Sequence, residues 1–96
     1  MIEVNLLELT GSFAENKDKA KDIRIDNIMP TLKDGGDVTL NFSGVGSTTQ
    51  SFIHALISDP IRQFGGDILD RIIFKNCNDK IQKIIGIVTD YMQESA

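Results

Sequence analysis

The sequence predicts a single small α/β domain, a central mixed sheet with helices packed against it, and three features carry that expectation. Residues 38–58 read as a strand, a glycine turn and a capped helix in one run. Strand-like stretches are separated by helical ones along the chain, with no repeat or low-complexity tract between them. The last segment places Ile81, Ile84, Ile85, Val88 and Met92 on one helical face.

Taken in order, Ile2, Val4, Leu6 and Leu7 form a loosely alternating run over residues 2–9 that closes at Thr10-Gly11, the pattern of a first strand. Ser12 and Glu15 then match a capping box, and Ala20, Ile23, Asn27, Ile28 and Leu32 recur near helical spacing, so a helix is expected over residues 13–33. Pro30 lies inside it, removes one hydrogen bond and crowds the preceding turn. A kink near Asp26 and Asn27, or a helix that starts late, is the expected result, while Ile23-Arg24-Ile25 also reads as extended. Residues 33–37 are a turn.

Val38, Leu40 and Phe42 alternate with Thr39 and Asn41, which favours a pleated strand with one face packed. Ser43-Gly44-Val45-Gly46 ends it. Ser47 followed by Gln50 matches a second capping box, so a helix is expected to start near Thr48, to run to Ser58 and to stop at Asp59-Pro60, where a further turn can restart. Phe64-Gly65-Gly66 closes this region. Leu69, Ile72, Ile73 and Phe74 read as a third strand, and Asn78 with Asp79 caps the final helix.

The chain of 96 residues makes one domain, residues 1–96, with a single modest core. A hydrophobic fraction of 41% and a charged fraction of 25% are ordinary globular values and argue against disorder. Net charge is −4 with basic residues scattered, so no phosphate-neutralising surface for direct nucleic-acid binding is visible. The apolar runs fall far short of the roughly 20 residues a bilayer requires, and membrane insertion is not expected. Cys77 is the single cysteine and no charged-then-apolar leader precedes the first strand, so a reducing cytoplasm is the expected location.

Residues 38–58 resemble the strand, turn and switch helix of the STAS domain, the module of bacterial anti-sigma-factor antagonists and sulfate-transporter tails. Asn41, Phe42, Ser43 and Val45 occupy the first part of the family pattern of aspartate, apolar, serine, any residue and valine. The serine pair of the family falls on Gln50 and Ser51, its glycine on Phe52, and its following apolar positions on Ile53 and Leu56. The run FSGV-x-S-x-TQSFIHALI, followed by FKNC and a final helix, is similar to a divergent bacterial STAS-like branch. The resemblance implies a STAS-like fold, a regulatory protein-interaction module and partner switching with a histidine-kinase-like ATPase that carries the nucleotide itself. It also implies that the helix starting near Thr48 is the docking element.

On a helical projection Phe52, Ile53, Leu56 and Ile57 form the core side, and Gln50, His54 and Ser58 share the opposite side at spacing of four. With Ser51, these are the expected partner-binding residues. By resemblance the first serine of the pair accepts phosphate, but that position is Gln50, so Ser51 and Thr49 are the remaining acceptors. A phosphate there would meet the positive end of the helix dipole. Capping alone also accounts for these hydroxyls, with Ser47 and Thr48 at the helix start and Asn41 and Ser43 supporting the turn before it.

His54 is the only histidine and has no second ligand at metal spacing and no nucleophile to serve, so it reads as a surface or interface residue. Cys77 has no redox partner and reads as a small apolar residue, although its place before a helix is where thiolates are stabilised. Asp34, Asp37, Asp67 and Asp70 do not form a calcium-loop spacing, and the glycine pairs at 35–36 and 65–66 do not match phosphate-binding loops. The expectation is a non-enzyme without cofactor or metal. A constitutive structural subunit of a larger assembly, held through an apolar patch such as the final helix, is the alternative.

Overall fold

The computed structural model describes residues 2–95, and the α/β expectation holds. Strand β1 covers Ile2–Asn5, β3 covers Val38–Asn41 and β5 covers Ile72–Lys75, and these pair in the order β1-β3-β5. Two shorter strands, β2 at Phe13–Ala14 and β4 at Ser47–Thr48, make a separate two-stranded ladder. Every described pairing is parallel, where the sequence suggested a mixed sheet. The reason is the connections: each neighbour is reached through a helical crossover and not a hairpin.

Both crossovers step in the same direction across the sheet, and such crossovers are almost always right-handed, so their helices lie on one face. The register agrees with that layering. Val4, Leu40 and Phe74 form one cross-strand row and Ile2, Val38 and Ile72 the next, all packed in or against the core. The rows between them, Glu3-Thr39-Ile73 and Asn5-Asn41-Lys75, point to the opposite face, where Lys75 Nζ meets Glu3 Oε1 at 3.4 Å.

The first strand is shorter than residues 2–9. Its partner β3 ends at Asn41, opposite Asn5, and with no ladder beyond that point Leu6–Thr10 turns into a single helical turn, α1. Gly11, at φ +77°, ends it, and its amide donates to the Leu7 carbonyl at 2.9 Å.

Helix α2, Lys17–Ile23, starts later than the Ser12 capping box suggested, because pairing of Phe13–Ala14 with β4 holds that stretch extended. Asn16 is the cap instead, accepting from the Asp18 and Lys19 amides at 2.9 and 3.3 Å. The path continues through a π-turn at Arg24–Ile28 into α3, Met29–Lys33. Pro30 brings no amide to bond the turn before it, and the wider π-turn over Asp26 and Asn27 takes the place of the expected kink.

Helix α4 covers Gln50–Phe64, a 3₁₀ turn covers Gly66–Arg71, and α5 covers Asp79–Ser95. The Asn78 side chain caps α5 as expected, accepting from the Ile81 amide at 2.9 Å. The core lies between the sheet and α2, α4 and α5, with Phe42, Phe52, Leu40, Leu56 and Ile81 among its fully buried side chains. No helix among the described residues is long and apolar enough to cross a membrane.

A candidate docking groove at the start of α4

The segment between β3 and α4 is organised by hydrogen bonds that position the helix. Asn41 Oδ1 accepts from the Ser43 amide at 2.9 Å, an Asx turn, and the Val45 amide donates to the Phe42 carbonyl at 2.9 Å. The Asn41 side chain and the Ser43 backbone thus hold the turn together. Asn78 reaches across to donate to the Gly46 carbonyl at 2.9 Å, which ties this turn to the start of α5.

Ser47 and Thr48 do not cap the helix. Both are strand residues of β4, and the buried Thr48 hydroxyl donates to the Ala14 carbonyl at 2.7 Å. Thr49 is the cap: its Oγ1 accepts from the Phe52 amide at 3.1 Å, so α4 begins at Gln50. The Ser47 capping box fails because parallel pairing with β2 takes its residues into a ladder first.

Along α4, Phe52, Ile53, Leu56 and Ile57 are fully buried, as the projection required. Gln50 and Ser51 are exposed and His54 is half-buried. Ser58 is not part of that outer side: it is only 4% exposed. The helix also passes through Asp59 and Pro60 without stopping. Its second half buries a wider arc, with Pro60 and Ile61 in the interior, and Ser58 is drawn in with them. Arg24 supports the helix beside the proline, since its Nη1 donates to the Ala55 carbonyl at 3.3 Å and pairs with Asp59 Oδ2 at 3.4 Å.

Gln50, Ser51 and His54 come together in a groove of about 420 Å³ between three helices. Lys17 contributes from the first turn of α2, and Ile87 and Tyr91 from α5. Ile87 is 44% and Tyr91 62% exposed, so the groove has one polar wall and one apolar, aromatic wall. The sequence reading missed Lys17, Ile87 and Tyr91. The last two are legible as an i, i+4 apolar pair beside the core stripe of α5. Lys17 carries no such signal, because only the packing of α2 against α4 brings it near.

Cys77 is half-buried, its Sγ lies 3.9 Å from the Lys75 carbonyl, and burial pushes its thiol above the ordinary value. Desolvation therefore outweighs any help from the start of α5, and the thiol form is favoured.

A family model described as a STAS-like domain of unknown function matches residues 19–82. The match takes in β3, the turn, all of α4 and β5, and stops just inside α5. No curated protein and no solved structure matches the chain.

Proposed function

The chain belongs to the STAS-like family, and from that premise we propose that it is a non-catalytic protein-interaction module that docks a protein partner at the start of α4. Family membership supports a regulatory or interaction module. The observation that carries the docking site is the groove that gathers Gln50, Ser51 and His54 beside Ile87 and Tyr91. An aromatic and aliphatic wall facing small polar groups is the composition of a protein contact.

The partner in this reading is a histidine-kinase-like ATPase, on the strength of the resemblance over residues 38–58, and the nucleotide belongs to it. Ser51 is the phosphate acceptor. It is exposed in the first turn of α4 and shares its groove with Lys17, whereas the Thr49 hydroxyl is occupied as the helix cap. Added phosphate would place negative charge within the docking face and change affinity there.

The test is affinity capture from the native host, with partner identification and intact-mass measurement, repeated with Gln50→Glu and His54→Glu together. Capture of a histidine-kinase-like ATPase that is lost in the double variant, with a phosphorylated fraction removed by Ser51→Ala, supports the reading. Binding that is unchanged in a folded double variant removes the groove as the docking site. A second reading rests on the exposure of Ile87 and Tyr91: a constitutive structural subunit held through α5. Recovery of an unmodified bait in fixed proportion with an unrelated complex, lost on Tyr91→Ala but not on Ser51→Ala, selects that alternative.

A further inference from the structure

The C-terminal half of α4, the π-turn and α3 line a second, open trough, of about 700 Å³, whose charge is opposite to that of the chain. Arg24, Lys33 and Arg62 line it against a single acid, Asp59, a local charge of +2 in a chain of −4. That acid is already engaged: Asp59 Oδ2 receives Arg24 at 3.4 Å and Oδ1 receives Arg62 at 3.6 Å. Arg24, which also donates to the Ala55 carbonyl, is thereby held in place, while Arg62 stays largely exposed, and each guanidinium has donors to spare. Lys33 has no ion pair among the described residues. The Arg24 side chain is 17% exposed, so a carboxylate arriving there meets a partly desolvated cation, a stronger contact than an open surface pair.

Beside these cations the trough is apolar. Ile25 is 49% exposed and lies with Met29 and Pro30 along its wall. The π-turn accounts for this exposure. Ile23 and Ile28, five residues apart, are both buried, an interval that an α-helix places on different faces and a wider turn brings together. Ile25 is left outside that shared face. No aromatic ring lines the trough, so it lacks the stacking platform of a single-strand nucleic-acid site.

We propose that this trough docks an acidic peptide segment of a partner protein, with carboxylates on Arg24, Lys33 and Arg62 and an apolar side chain against Ile25 and Met29. The site is separate from the groove at the start of α4 and stands or falls independently of it.

The test is an amide-shift titration of the isotopically labelled full chain with a synthetic peptide of glutamate and leucine. Saturable shifts at residues 24–33 and 59–64 are expected, with affinity at least tenfold weaker for Lys33→Glu with Arg62→Glu. The neutral pair Lys33→Gln with Arg62→Gln, which adds no repulsion, should weaken it by a smaller factor. A Gln50→Glu, His54→Glu chain should bind the peptide as the parent does. No saturable shift, shifts confined to residues 50–55, unchanged affinity in a folded Lys33→Glu, Arg62→Glu chain, or equal binding of a lysine-leucine peptide or a thymidine oligonucleotide would each overturn the proposal.

Discussion

The Thr49 hydroxyl accepts the Phe52 amide at 3.1 Å, and this bond sets where α4 begins. Loss of such a cap costs about 1 kcal/mol. Thr49→Ala should lower stability by about that amount in urea denaturation, while Ser47→Ala, two residues before the cap, should change it by less than about 0.5 kcal/mol. The reverse order of effects would return the cap to Ser47.

Ser58 lies inside the protein and not on the docking side. Ser58→Asp places a charge in the interior and should destabilise by more than about 2 kcal/mol. Gln50→Asp, at an exposed first-turn position, should stay within about 0.5 kcal/mol of the parent. Thermal unfolding of both variants checks this, and a tolerated Ser58→Asp would mean that the residue faces solvent.

Gly44 and Gly35 hold φ of +83° and +87°. An added Cβ at Gly44 would come within 2.6 Å of Leu7 Cδ2, whereas nothing lies near one at Gly35. The Leu7 contact is the tip of an exposed, flexible side chain, so backbone strain dominates at both sites. Alanine at either position should cost about 1–2 kcal/mol, with the two values close together. A much larger loss at Gly44 would show that Leu7 is held rigidly.

Burial raises the Cys77 thiol above its ordinary value. Iodoacetamide should therefore modify it more slowly at pH 7 than a free model thiol, with the rate rising as the pH passes the ordinary thiol value. The sign for stability follows. A folded pKa above the unfolded one favours folding while the thiol is protonated, a contribution present below the unfolded pKa and lost as pH rises through the folded one. Comparison of unfolding at alkaline pH with Cys77→Ala isolates it, and faster alkylation than the model thiol would contradict it.

Much of this molecule was legible in short-range pattern. The alternation of Val38, Leu40 and Phe42 gave the central strand, the spacing of Ile81, Ile85, Val88 and Met92 gave α5, and Asn78 gave its cap. Residues 38–58 carried the family resemblance. Errors fell where two local signals competed: Pro60 reads as a helix stop, yet its ring is buried in the interior of α4. Ile23-Arg24-Ile25 reads as helix or strand because the π-turn obeys neither period.

By itself the sequence determined the α/β class, the core faces of its main helices and the polar start of α4, because side-chain periodicity and turn chemistry act over a few residues. Only the tertiary structure decided which hydroxyl caps α4, which way Ser58 turns and which helices meet at Gln50 and His54. Those outcomes depend on pairings such as Thr48 with Ala14, 34 residues apart, and on the packing of α2 and α5 against α4. A local pattern contains no term for either.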